Sequence, residues 1–323
     1  MAEVSPASVV SPPEEQKRKG YAAFATRAAL GAGVIAFLLW RYDARPILRA
    51  AARERLGYFT AAMALYLAGQ AMSALRWQWL ARMNGVAGRY PEYLRYYFIG
   101  VFTNLFVPGL IGGDAARSIY LGRRHRQLPA AIGSVIADRG IGLLALFWFA
   151  AIAALWFRAI LPAAVRELVM LLGAGTFAGW LAAPLLIGGA ALLPANLRNI
   201  LTPITPYLER PAAILPAIAL SLLLQASLAG CQYLLALGLG LETSFAPFIV
   251  CVPIANVLAS LPLTFNGLGV RETAYLVLLG GAGIAHPDAI ALGLLWFAMT
   301  MTGGLTGIIA FTTTALASAL QET

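Results

Sequence analysis

The chain has 323 residues, of which 60% are hydrophobic and 11% charged, and its mean hydropathy is +0.76. A soluble domain carries about 25% charged residues, so these values exclude a water-soluble enzyme or binding module and point to an integral membrane protein. Of the 23 basic residues behind the formal charge of +9, only Lys17 and Lys19 are lysines; arginines beside apolar spans mark cytoplasmic loops and anionic headgroups, and no basic, aromatic surface remains to read a nucleic acid.

Residues 1–20 are polar and close on Lys17, Arg18 and Lys19, which reads as a disordered cytoplasmic tail. The run 21–40 is interrupted by Arg27 and leads into Trp40-Arg41-Tyr42, with no small-residue cleavage site, so it reads as an uncleaved anchor. In 41–55 the residues Arg45, Arg49 and Arg53 recur every fourth position, giving one basic face to a helix lying among headgroups. The span 59–75 ends at Arg76-Trp77-Gln78-Trp79, an interfacial anchor pattern; Trp77, Trp79, Tyr93, Tyr96 and Tyr97 are expected at that interface.

Asn104, Pro108, Gly109, Gly112, Gly113, Asp114 and Arg117 follow within a few turns of apolar sequence. An ionised side chain at bilayer depth costs about 2.5–3.5 kcal/mol on insertion scales and needs a partner, water or substrate. Backbone broken by proline and glycine at that depth is tolerated only beside protein or a wet cavity. The piece 97–111 is short for a crossing and flanked by base on both sides, so a re-entrant hairpin is expected. Asp138 and Arg139 then stand side by side inside the run 130–157. Neighbours on a helix point about 100° apart, so at least one of them must reach across to another helix or a cavity.

Further runs at 168–193, 214–239 and 289–311 are long enough to span, and 195–211 is the sizeable polar connector between two similar parts. In the second part the proline-broken piece 247–262 leads to Asn266, Gly267, Gly269, Arg271 and Glu272. Gly267 precedes Glu272 by five residues, as Gly109 precedes Asp114. Paired broken helices in corresponding halves point to a site at an inverted-repeat interface. The expected fold is therefore all-α: a polytopic integral membrane protein of about six to eight spanning helices plus two re-entrant segments broken by Pro and Gly, with room for an inverted repeat. A single transmembrane domain is expected over 21–318.

Cys231, Cys251, His125 and His286 have no metal-ligand spacing, so no metal, cofactor or catalytic residue is expected. The polar residues read instead as a substrate path. Arginine suits phosphate through its fork of donors, and helix starts after glycine favour anions.

In their order, the three motifs around Asp114-Ala-Ala-Arg117, Asp138-Arg139-Gly140 and Asn266-Gly267-Leu268-Gly269-Val270-Arg271-Glu272 resemble the lysylphosphatidylglycerol synthase transmembrane, or flippase-like, family, over about residues 20–315. Members include the flippase half of the multiple-peptide-resistance proteins and hopanoid-biosynthesis-associated proteins. The resemblance implies a bacterial inner-membrane protein that translocates lipid or lipid-linked headgroups between leaflets. It carries over to Asp114, Arg117, Asp138, Arg139, Arg271 and Glu272. It implies membrane lipids as partners: an anionic phospholipid, a polyprenyl-linked lipid or a hopanoid lipid, with a homodimer left open. No stretch corresponds to the soluble lysyl-transferase domain of two-part members, so aminoacyl transfer is not implied. A membrane-embedded transferase acting on lipid, a secondary transporter for a small anion and a scaffold for lipid synthesis are the alternatives.

Overall fold

The computed structural model describes residues 14–105, 111–157, 161–188, 202–260, 264 and 267–319. Every regular element among them is helical, as lipid demands of a chain whose backbone bonds must close within each segment. Helix α1 (Glu14–Arg41) begins inside the tail that the sequence predicts to end at Gly20. The short α2 (Ala44–Ala52) starts where Asp43 accepts from the Arg45 N–H at 3.1 Å. It buries Ile47 and Ala50 and leaves Arg45 and Arg49 exposed, as its period predicts.

Helix α3 (Leu56–Met83) runs past the expected end at 75, so Arg76 and Trp77 lie within it, not at its rim. Next come α4 (Tyr90–Thr103) and α5 (Ile111–His125), packed against each other as a hairpin. At about 1.5 Å per residue each is some 21–23 Å long, short of the roughly 30 Å hydrocarbon layer. Helices α6 (Leu128–Trp156) and α7 (Ala163–Gly188) follow. Then come α8 (Thr205–Glu209), a 3-10 turn (Pro211–Ile214) and α9 (Leu215–Gly238). A second hairpin of short helices, α10 (Ala246–Ser260) and α11 (Val270–Gly281), precedes α12 (His286–Leu305) and α13 (Gly307–Ala319).

Four of the described helical stretches are long and apolar enough to cross a membrane: Leu128–Trp156, Ala163–Leu185, Pro211–Gly238 and His286–Thr313. Helix α3 matches them in length but carries a polar stripe of Gln70, Ser73 and Arg76. Helix α7 exposes Leu168, Leu171, Leu181 and Leu185, the surface of a helix facing lipid.

The two hairpins occupy equivalent places. The series α3–α4–α5–α6 and α9–α10–α11–α12 each consist of a long helix, two short folded-back helices and another long helix, with matching neighbour contacts. Their opening helices cross antiparallel. Arg55 N donates to Gly238 O at 3.1 Å, Cys231 Sγ lies 3.5 Å from Ala62 O, and Arg76 reaches Ser221. Position numbers thus rise along α3 as they fall along α9. Small residues permit the close approach: a Cβ on Gly69 would lie 3.0 Å from Leu224, and one on Gly230 3.2 Å from Leu65. Antiparallel opening helices at corresponding places in the two series are the arrangement that an inverted repeat requires.

Candidate functional site

Helix α5 opens with Asp114 in its first turn and closes with Arg123, Arg124 and His125, matching acid and base to the two ends of its dipole. Ahead of it, Asn104 ends α4 and its Oδ1 accepts from the Gly113 N–H at 2.8 Å, tying the hairpin at its tip. A Cβ on Gly113 would run into Gly100 O, so the two short helices touch backbone to backbone. Gly112 lies on the same opening turn of α5, half-buried. Pro108, Gly109 and Asn266 lie outside the described residues.

Asp114 lies beneath the fork of Arg139, with Nε to Oδ2 at 2.7 Å and Nη2 to Oδ1 at 3.1 Å. Arg117 donates from Nε to Asp114 Oδ1 at 3.0 Å and from Nη2 to Asp138 Oδ2 at 2.9 Å. Asp138 also accepts from Arg76 Nε at 2.7 Å, and Arg76 Nη1 donates to Ser221 Oγ at 2.8 Å. The result is one alternating row, Arg139–Asp114–Arg117–Asp138–Arg76–Ser221, that passes through α6, α5, α3 and α9. Asp138 and Arg139 both reach across to other helices, in different directions, as their adjacency requires.

Exposure falls along this row. The side chain of Arg139 is 48% exposed and that of Asp114 18%, whereas Asp138 is at 2%. Buried charges persist only when paired and hydrogen-bonded, and each inner member of the row is. Arg117 also lies over two rings, 4.9 Å from the centroid of Trp77 and 5.2 Å from that of Tyr97.

Three of the aromatics expected at the interface are packed inside the bundle. Trp77 and Tyr93 are fully buried and Tyr96 nearly so. Trp77 Nε1 donates to Ser134 Oγ at 3.0 Å and Tyr93 Oη to Val86 O at 2.9 Å, which satisfies their polar ends inside the bundle. Trp79 is the exposed one, its Nε1 on Ala213 O. Arg76 and Ser221 are site residues that the sequence reading missed. Arg76 was masked by its place beside Trp77 and Trp79, although the polar stripe Gln70, Ser73, Arg76 marks it; Ser221 carries no signal among its apolar neighbours.

The hollow beside Asp114, bounded by Tyr97, Asn104 and Arg139, holds about 30 Å³, space for roughly one water.

Arg271 and Glu272 stand apart from the row. Gly267 and Gly269 adopt φ of +73° and +82°, which shapes the turn into α11. Glu272 Oε2 accepts from the Gly269 N–H at 2.6 Å and is fully buried. Among the described residues no ion pair joins Arg271 to Glu272; Arg271 lies 5.8 Å from the ring of Trp296. On the other face of α11 an apolar cavity of about 480 Å³ opens between α1, α6, α7 and α10, with Thr273 its one polar side chain.

No group of His, Cys, Asp and Glu among the described residues is arranged to hold a metal. A family model for the lysylphosphatidylglycerol synthase TM region matches residues 24–307. Neither the curated proteins nor the solved structures compared with the chain give a match.

Proposed function

The chain belongs to the lysylphosphatidylglycerol synthase TM region family, and from that premise we propose that it moves a phosphate-bearing lipid, or a lipid-linked headgroup, between the leaflets of the bacterial inner membrane. Its setting is a multi-pass membrane protein of a lipid-related family. The observation that carries the reading is the graded row of charge that ends at Arg139. Three guanidiniums face two carboxylates, so the row has one positive charge in excess, and its most exposed member is a guanidinium. An anionic headgroup is the matching guest.

In this reading the phosphate exchanges with Asp114 for the fork of Arg139, whose planar donors suit two phosphate oxygens. Arg117 stays held by Asp138 and keeps Asp114 oriented once Arg139 has turned to its guest. Asn104, Gly112 and Gly113 fix the hairpin tip against which the headgroup passes. A space of about 30 Å³ is too small for a phosphate group, so loading involves movement of the α4–α5 hairpin or of Arg139. The lipid's chains stay in hydrocarbon, and the apolar cavity beside α11 is large enough to receive one. In the second half Glu272 holds the corresponding turn through the Gly269 N–H, and Arg271 and Glu272 are in this reading the path residues of that half. The role is transport, with no covalent step assigned to any residue.

The test is headgroup accessibility of a fluorescent anionic phospholipid in proteoliposomes, for wild type and Asp114→Asn. Faster equilibration with wild type alone supports translocation through the row. Equal rates above the protein-free background remove Asp114 from the path. A covalently altered lipid supports a transferase, and uptake of a water-soluble anion supports a solute carrier.

A further inference from the structure

Helix α4 has two working faces. Tyr97, Gly100 and the Asn104 that ends it border the hollow at Asp114. On its other side Leu94, Arg95 and Phe98 line a cleft of about 370 Å³, walled across by Leu67 of α3 and by Thr306 and Ile309 at the α12–α13 junction. That volume lies in the ordinary range of ligand clefts. The helices around it are held close: a Cβ on Gly307 would run into Phe98 O, and the rings of Phe102 and Phe311 lie 5.9 Å apart.

Arg95 is exposed, and among the described residues its guanidinium has no ion pair or hydrogen bond. Glu92, the acid in the first turn of α4, is turned to Arg124 and His125, at 3.8 and 3.3 Å. Arg82, Arg89, Arg123 and Arg124 stand at the same end of α3, α4 and α5, so positive charge gathers around the mouth of the cleft. Arg95 lies some 7–8 Å along α4 from its start, at about 1.5 Å per residue. From there a long arginine arm reaches the level of lipid phosphates while its stem lies along hydrocarbon.

The walls are otherwise apolar. The Thr306 hydroxyl donates to Gly303 O at 2.6 Å, which leaves Arg95 as the free polar side chain of the cleft. A peptide segment seated there would bring backbone amides and carbonyls that these walls do not answer, whereas an acyl chain brings none. Ile308, Ile309 and Phe311 are exposed alongside, continuing the cleft into surface that lipid covers. An apolar slot with one guanidinium at its rim matches an amphiphile with one negative head, and basic pockets between membrane helices take anionic headgroups.

We propose that the cleft between α3, α4 and the α12–α13 junction binds an anionic phospholipid, with its phosphate on Arg95 and one acyl chain along Leu67, Phe98 and Ile309. It is a second lipid site, separate from the Asp114–Arg139 row, and it does not rest on the transport reading of that row.

The experiment is photolabelling of the full chain in phosphatidylcholine vesicles. Two probes carry the same diazirine-bearing acyl chain, one on phosphatidylglycerol and one on phosphatidylcholine, and adducts are located by peptide mass spectrometry. Wild type is expected to take the phosphatidylglycerol label at Leu94–Phe98 or Ile309 about fivefold more than the phosphatidylcholine label, the share of one arginine at a membrane surface. Arg95→Gln is expected to bring the two labels level, and Arg139→Gln to leave the preference as it is in wild type. Equal labelling by the two probes in wild type, no labelling of the cleft, or an undiminished preference in Arg95→Gln overturns the proposal. Loss of the preference in Arg139→Gln makes the cleft part of the row's path and overturns its separateness. Should Arg95→Gln not fold, the ratio of the two probes on wild type decides alone. None of these outcomes bears on translocation through the row, which is read by headgroup accessibility.

Discussion

Arg76 Nε stands 2.7 Å from Asp138 Oδ1, with both side chains almost wholly buried between α3 and α6. The contact makes Asp138 the pivot of the charged row, because its other oxygen holds Arg117. It also ties α9 into the same cluster through Ser221. Removing one member of a buried pair strands the other, at a cost of about 3–5 kcal/mol. Arg76→Leu and Asp138→Asn are each expected to lower the unfolding temperature of the detergent-solubilised protein sharply. The double variant is expected to lose less than the sum of the two, and a double-mutant cycle in thermal unfolding reads the coupling.

Arg139 separates charge from shape. Its side chain is half exposed and makes a two-pronged contact with Asp114. Arg139→Lys keeps the charge and loses the fork, whereas Arg139→Gln loses both. Translocation rates in proteoliposomes are expected in the order Arg, Lys, Gln, with the last about tenfold or more below wild type. Equal rates for Lys and Gln would show that the fork, not the charge, is what matters.

Two glycines give opposite outcomes. A Cβ on Gly113 meets Gly100 O and comes within 2.7 Å of the Asn104 amide, so Gly113→Ala forces the α4–α5 hairpin apart. Overpacking of this kind costs about 1–3 kcal/mol. Gly140 faces open space, and Gly140→Ala in the middle of α6 is expected to be neutral or to stabilise by about 0.5–1 kcal/mol. Thermal unfolding of the two variants side by side checks both.

Glu54 sets a pH dependence at the elbow between α2 and α3. Both its carboxylate oxygens are buried without a hydrogen-bond partner among the described residues, against Gly238 at the end of α9. Arg55, whose guanidinium donates to Leu237 O, and the Arg53–Asp288 pair are the charges around it. Burial pushes its pKa up to about 7, against the pull of Arg55. The fold therefore holds this proton more tightly than the unfolded chain, so stability falls as pH rises from about 4.5 to about 7 and levels off above. The group is partly exposed, and solvent screening leaves on the order of 1 kcal/mol. Glu54→Gln is expected to remove that slope and to raise the unfolding temperature at pH 8. An unchanged slope would place the titration elsewhere.

Much of this was legible in the sequence because ionised residues in hydrocarbon are informative by their cost. Asp114, Arg117, Asp138 and Arg139 stand in apolar runs that cannot leave them alone, and the structure joins all four. Breaks at Asn104 and Gly269 likewise marked the two hairpins. Arg76 escaped because bases beside tryptophan usually end a span, whereas α3 continues through it to Met83. Ser221 escaped because a hydroxyl in a helix most often bonds its own backbone, as this one also does with Ala217 O. Arg271 and Glu272 are adjacent in the chain, yet successive residues on a helix diverge by about 100°, and each found a different neighbour.

The uneven count in the charged row has an electrical consequence. Empty, the row bears one unit of positive charge; with a monoanionic headgroup at Arg139 it bears none. On the headgroup reading proposed above, any step that carried the row along the membrane normal would be voltage-sensitive only without cargo, by about 2.3 kcal/mol per charge per 100 mV for a full crossing. On that reading the membrane potential would bear on the empty row and not on the loaded one.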